Sequence, residues 1–447
     1  MKNVKKGIFI FLMAIVTALL CNILAFLIPH SAVHQNIKES LPVLQQEGPL
    51  FPIIGEKYRN SIADNNTDAL MLLMADYDGQ QHSVLEKSVG GFYTTSQNTS
   101  NTGLYFFDMF ISSMQEDNIE TGVNSYSRYW HGWMLPLRLL LLFCSYEDIR
   151  YISMVFIIAL LVYYIYLLNQ KGLKMYAASY LAASLFILPI TASVSFEYSF
   201  VYYVILIQNI LMIKYFGFIK EKIGFGNYFL VTGCIISYFD FLTYPIATLG
   251  FCMASYLILT MYGTLGSVYR SIKDVILYSI TWAVGYFGMW IAKWLIGTLI
   301  LGSHVFTEAL GQLTLRTSST AGLGELDPEH VITFHETLGL NLGVFKIRGF
   351  LAVGLCLLCY LLFNIIKTKK YNYLKQYPLS SIPFILVFLM PFAWAFVFKN
   401  HLYLHYNFTS NIFVVSFLAA FSYLSLLLCA PSISSTKQTF KKSKGVV

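Results

Sequence analysis

Gly7-Ile-Phe-Ile-Phe-Leu-Met-Ala-Ile-Val-Thr-Ala-Leu-Leu-Cys-Asn-Ile-Leu-Ala-Phe-Leu-Ile28 contains no charged residue. A run of this length covers a hydrocarbon core of about 30 Å as a helix. Between Pro29 and His131 the chain turns polar, with twelve carboxylates (Glu39, Glu47, Glu56, Asp64, Asp68, Asp76, Asp78, Glu86, Asp108, Glu116, Asp117, Glu120) against five cations (Lys38, Lys57, Arg59, Lys87, Arg128). The stretch closes on Tyr126-Ser-Arg-Tyr-Trp-His-Gly-Trp-Met-Leu-Pro-Leu-Arg138, which is aromatic and cationic before it becomes apolar. One greasy span leading into an acidic insert and such a collar predicts a water-facing lobe held by a membrane frame.

The remainder of the chain supplies that frame. With 56% apolar and 12% charged residues, the composition departs from that of soluble domains, where about a quarter are charged. The formal charge of +7 does not point to nucleic acid, because its distribution tracks the spans. Lys2, Lys5, Lys6, Lys171, Lys174, Lys214, Lys220, Lys222, Arg270, Lys273, Lys367, Lys369, Lys370 and the lysines of the tail sit in short segments joining alternate apolar runs. The positive-inside rule assigns those segments, and both termini, to the cytoplasm. No small-x-small cleavage site lies near Ile28-Pro29, so the first span reads as a retained anchor. The seven cysteines lie in or beside spans, and Cys356 and Cys359 read as core thiols rather than half a zinc site.

Taken in order, the expected spans are Gly7–Ile28, Ile149–Leu168, Met175–Thr191, Phe196–Ile213, Asn227–Phe239, Ile246–Tyr262, Val275–Leu301, Phe350–Ile366, Ile382–Phe398 and Ile412–Cys429. The expected fold is therefore an all-α polytopic membrane protein of about ten transmembrane helices, with a mainly helical outer lobe between the first and second spans. Its parts are residues 1–28 (tail and first span), 29–147 (lobe), 148–430 (nine-helix bundle) and 431–447 (basic cytoplasmic tail). The apolar piece Trp133–Cys144 is too short to cross and is interrupted by Arg138, so it reads as an interfacial helix. A second outer loop, residues 303–346, holds His304, Glu308, Arg316, Glu325, Asp327, Glu329, His330, His335 and Glu336.

Ionisable groups at membrane depth face a partner or a cavity. Asp240 either caps the Asp240-Phe-Leu-Thr-Tyr-Pro245 reversal or faces an outward cavity, and Lys293 either snorkels or faces the same cavity. His401 and His405, four apart, share a face of a helical turn within a polar outer lip. Arg128 and His131 among aromatic rings suit a phosphate headgroup, since a guanidinium binds phosphate oxygens bidentately. In Asp64-Asn-Asn-Thr-Asp-Ala-Leu-Met-Leu-Leu-Met-Ala75, Asp64 or Asn66 can cap a helix whose first turn carries Asp68. Glu39 and Glu47 read equally as a solvated face.

The stretches beginning at Asp64, Tyr126, Phe239 (Phe239-Asp-Phe-Leu-Thr-Tyr-Pro245) and Asn400 (Asn400-His-Leu-Tyr-Leu-His-Tyr406) together resemble a group of bacterial polytopic membrane proteins without an assigned activity. The layout of one span, a large acidic outer loop and many further spans is similar to that of the C-type glycosyltransferase superfamily. That resemblance implies transfer of a sugar from a polyprenyl-phosphate carrier to a cell-surface glycan or lipid, at the outer face of a bacterial plasma membrane. It implies a base among Asp64, Asp68, Glu39 and Glu47, and substrate or phosphate contacts among Arg128, His131, Arg138, Asp240, Lys293, His401 and His405. No acid lies between Pro29 and Lys38, where that superfamily often has one. The resemblance implies no cofactor, and Asp76-Tyr-Asp78 is the single Asp-x-Asp that suggests a divalent metal. A flippase, transporter or polymerase for lipid-linked glycans is the alternative reading.

Overall fold

The structure, a computed structural model, describes residues 2–96, 104–115, 121–261, 268–320, 330–346, 348–373 and 377–429. Glu116, Asp117, Glu120, Glu325, Asp327, Glu329 and the expected basic tail lie outside the described residues. Helix dominates. Among the described residues, six helices are long and apolar enough to cross a membrane: Val4–Ala25, Tyr146–Gln170, Phe196–Lys214, Val268–Leu301, Pro378–Val397 and Tyr406–Cys429. Three shorter apolar helices accompany them, Phe225–Phe239, Ile246–Met261 and Leu351–Lys367. The remaining expected span, Met175–Thr191, is not continuous. Helix α9 (Lys174–Phe186) stops, Leu188 takes φ 55°, and a short α10 (Pro189–Val194) resumes. The residue before a proline avoids the helical region, so Pro189 sets the break.

The first helix, α1 (Lys2–Ala25), fixes the two ends of the molecule. At its start the Lys6 ammonium donates to the carbonyl of Lys222, in the lysine-bearing turn before α13 (Phe225–Phe239). Near its end, Asn22 donates to the carbonyls of Trp130 (2.6 Å) and Ser88 (3.2 Å) and accepts from the Tyr238 hydroxyl (2.8 Å). The lobe and a lysine-rich turn thus occupy opposite ends of a helix about 36 Å long at 1.5 Å per residue.

The described part of the lobe is mainly helical, with short strands between the helices. Helices α2 (His30–Glu39), α3 (Leu41–Glu47), α4 (Asn65–Asp76), α5 (Val84–Gly90) and α6 (Tyr105–Gln115) are joined by two antiparallel ribbons. These are β1 (Leu50–Pro52) with β2 (Ile62–Asp64), and β3 (Phe92–Ser96) with β4 (Thr121–Ser125). Helix α4 is buried on nearly every side, which explains its lack of an apolar stripe. The Trp133–Cys144 piece forms α7 (Met134–Leu140), with Leu137 buried and Phe143 84% exposed beside it. Its Arg138 guanidinium donates to the carbonyls of Ala75 (2.6 Å) and Ile28 (3.0 Å), tying the ends of α4 and of the first span together. The second outer loop is not a loop throughout: it contains α16 (His304–Thr317) and α17 (Phe334–Gly343).

Within the bundle, α11 (Phe196–Lys214) is central and almost wholly buried, whereas α1 and α8 (Tyr146–Gln170) turn apolar side chains such as Phe9 and Val155 outward. Cys356 and Cys359 were expected in the core, yet both are exposed on α18 (Arg348–Lys367), which lies at the rim. Lipid is as apolar as a side chain, so small residues that let backbones approach decide how such helices associate. Helix α13 packs along α15 (Val268–Leu301) in this way. A Cβ on Gly233 would collide with the carbonyl of Trp282, and one on Gly285 with that of Leu230.

Leucine at either position overpacks that seam. Gly233→Leu and Gly285→Leu are each expected to lower stability by about 1–3 kcal/mol, read as a lower thermal midpoint in detergent. Gly217→Ala, which meets open space, serves as the control. Parental midpoints for both seam variants would remove the close approach as a source of stability.

Candidate functional site

The site begins where β2 runs into α4. Asp64 caps the helix: its carboxylate accepts from the Thr67 amide (2.9 Å) and hydroxyl (3.0 Å), while its own amide donates to the Ser195 hydroxyl (2.8 Å). One turn on, Asp68 is fully buried against the bundle. It accepts from the amides of Phe196 (3.3 Å) and Glu197 (3.4 Å), the first residues of α11. A carboxylate there satisfies donors that a helix start leaves free and suits the positive end of its dipole. Burial nevertheless pushes Asp68 up to about 7, against the pull of the Arg150 charge and the Tyr146 hydroxyl. Asp64 is also raised by burial, with the Thr67 bonds opposing.

By holding the start of α11, Asp68 sets the neighbouring Glu197. That side chain is buried, one of its carboxylate oxygens has no hydrogen-bond partner among the described residues, and it lines a cavity of about 330 Å³. Asp64 lines the same cavity, together with Tyr198, Tyr126, Thr243 and Asn407.

A cation lines the same cavity. Arg316, from the last turn of α16, donates to Nδ1 of His401 in a short helix after the ninth expected span, Lys399–Leu404. With Nδ1 accepting, the proton sits on Nε2, which donates to the Leu242 carbonyl at 2.7 Å. Burial and the Arg316 charge hold His401 well below the usual histidine range, and the same two causes bring His405 down to about 3. Both imidazoles are therefore neutral at ordinary pH, and neither His401 nitrogen is free to take a proton. Arg316 supplies the positive charge, and its Nε has no partner among the described residues. Arg316, His401 and His405 all line the cavity. Carboxylates from the lobe and α11 thus share with the Arg316 guanidinium of α16 a space large enough for a small polar group.

The other expected site residues go elsewhere. Glu39 lies at the exposed end of α2, accepting from Gln35 at 3.1 Å. Glu47 pairs with Arg150 at 2.8 Å. Arg128 lies over the Tyr126 ring (3.8 Å), pairs with Glu308 and borders a smaller pocket that it shares with Arg316. His131, at φ 57°, is packed among Tyr126, Trp133 and Phe241. Arg138 is the buried clamp between the ends of α1 and α4. Asp240 caps the reversal after α13, accepting from the amides of Leu242 (2.8 Å) and Thr243 (2.9 Å) and from the Thr243 hydroxyl. The Lys293 ammonium is buried and donates to the Val89 carbonyl, fastening α5 to α15. Glu197 was missed in the sequence, although an acid in the first turn of an apolar span is a signal. Arg316 was noticed as a loop residue, but nothing local pairs it with His401.

No protein-family model matches the chain, and neither the curated proteins nor the solved structures contain a match to it.

An acid whose folded pKa is raised keeps its proton longer in the folded state than in the unfolded one. Stability from Asp68 is then fully present below its ordinary pKa of 3.8 and falls as pH rises through about 7. Asp68→Asn is expected to flatten that part of the stability-against-pH curve, measured as thermal midpoints from pH 4 to 8. A slope identical to the parent's would place the buried proton elsewhere.

Proposed function

We propose that the protein is a membrane glycosyltransferase of the C type, which moves a sugar from a polyprenyl-phosphate carrier to a hydroxyl of a cell-surface glycan or lipid. The observation that carries this reading is the shared cavity, lined by Asp64 and Glu197 and also by Arg316, His401 and His405. Such a transfer needs a base for the acceptor proton and a cation for the departing lipid phosphate. Glu197 and Asp64 suit the first task, being carboxylates that line the cavity. Arg316 suits the second, with His401 orienting it through a hydrogen bond and His405 adding a neutral polar surface. Arg128, which borders the adjoining pocket, adds positive potential along the approach.

In this reading the chain crosses the plasma membrane of a bacterium ten times. The nine apolar helices and the broken α9–α10 segment make up the ten, and both termini are cytoplasmic. The support is the lysine-rich turn at one end of α1 and the acidic lobe at the other. The lining residues come from the lobe and from segments expected on that same side, which suits chemistry at one leaflet better than a path through the bundle. A transporter would require ionisable groups along such a path.

The test is transfer of labelled sugar from polyprenyl-phosphate-linked donors by the protein reconstituted in liposomes. Asp64→Asn and Glu197→Gln together are expected to lower the rate by roughly 10²–10⁴-fold, the range for loss of a general base. Arg316→Ala is expected to weaken binding of undecaprenyl phosphate, monitored by native mass spectrometry. Full transfer by the double carboxylate variant would overturn the assignment of the base.

A further inference from the structure

Helix α2 opens with His30-Ser-Ala-Val-His34. Four residues apart, the two imidazoles lie on one face of the helix, with ring centroids 5.5 Å apart. Both turn to the last residue of α4: Nε2 of His30 lies 3.0 Å and Nδ1 of His34 2.9 Å from the same carboxylate oxygen of Asp76. One ligand atom from each of the three residues lies within 4.8 Å of the others. In a tetrahedral zinc site with bonds of about 2.0–2.1 Å, neighbouring ligand atoms are about 3.3 Å apart. The cluster is therefore within a few tenths of an ångström of that spacing on two of its three edges.

We propose that His30, His34 and Asp76 form a site for a divalent transition-metal ion, zinc above all, that clips α2 to the C-terminal end of α4. Two imidazoles and a carboxylate match the borderline-soft preference of zinc and exclude calcium and magnesium, which take oxygen ligands. Three protein ligands leave an open position, and the carbonyl oxygen of Asp76, 2.7 Å from His30 Nε2, lies within reach of it. An ion can enter from solvent, because the His34 side chain is 40% exposed. A carboxylate also stands behind one ligand: Oδ2 of Asp78 is 4.0 Å from Nδ1 of His30, and Asp78 is itself held by Lys87 at 3.1 Å. Outer carboxylates of this kind orient ligating histidines.

The place of the cluster assigns it a structural role. Asp76 ends the helix that Asp64 caps, about 18 Å away at 1.5 Å per residue, so an ion there does not touch the cavity. It would instead fasten the far end of α4 beside the Arg138 clamp and hold the helix along which Asp64 and Asp68 are set.

Full-length protein in detergent, stripped with EDTA and desalted, is titrated with Zn²⁺ alone, and bound metal is counted by mass spectrometry. One equivalent is expected for the parent and none for the His30→Ala/His34→Ala double variant or for Asp76→Ala. Parent and variants retaining equal zinc, or a parent retaining none, would overturn the proposal and leave a metal-free hydrogen-bonded triad. Two readouts on the parent protein need no variant to fold. Co²⁺ should give the intense visible absorption of a tetrahedral site, and Zn²⁺ should raise the thermal midpoint in a way EDTA reverses. A pale octahedral Co²⁺ spectrum together with an unmoved midpoint would count against the site. Sugar transfer is not among these readouts, so failure here leaves the functional proposal untouched, and the reverse also holds.

Discussion

The carboxylate of Asp68, buried where the lobe meets the bundle, is the contact on which the candidate site depends. It supplies acceptors to the first amides of α11, sharing that of Phe196 with the Tyr146 hydroxyl and taking that of Glu197 itself. Desolvating a carboxylate is costly, and the surroundings answer that cost in two ways. Arg150, itself paired with Glu47, lends positive potential, and the side chain holds its proton to a higher pH than a free aspartate would. The outcome is a joint between an acidic lobe and a largely buried helix of the frame. Glu197 occupies its place because of that joint.

Other contacts hold the lobe from different directions. Arg138 gathers the carbonyls at the ends of α1 and α4. Lys293 reaches from α15 to α5, and Trp294 donates to the Arg128 carbonyl at 3.0 Å. Each places a charged or amphipathic side chain of the frame against a backbone carbonyl of the lobe, or the reverse. Hydrogen bonds of this kind gain strength where water is scarce. They also account for most of the intramembrane and collar charges that the sequence marked as functional: Arg138, Asp240 and Lys293 satisfy backbone groups, which leaves the cavity to Asp64, Glu197 and Arg316.

Legibility in the sequence depended on the range of the interaction. Several helix ends were readable because a helix in lipid must be apolar along its own length. Phe196, Ile246 and Cys429 stand at the expected ends, and the run starting at Val275 was short only by its polar first turns. Capping by Asp64 was readable for the same local reason. The ribbons of the lobe were not, since β1 and β2 are three residues each and pair across a loop. The meeting of Arg316 with His401 was invisible because it joins residues on separate helices, with no periodicity linking them. In the sequence Glu197 is a single acid at the start of a greasy run, and its place at the cavity depends on the helix start that Asp68 holds.

The central proposal is that the cavity shared by Asp64, Glu197 and the Arg316 guanidinium receives a lipid phosphate. An electron cryomicroscopy map of the protein in nanodiscs containing undecaprenyl phosphate tests it most directly. The account predicts phosphate density at hydrogen-bonding distance from Arg316, in the same cavity as Asp64 and Glu197. Density for the headgroup elsewhere, or a map in which Arg316 and those carboxylates line separate spaces, would contradict it.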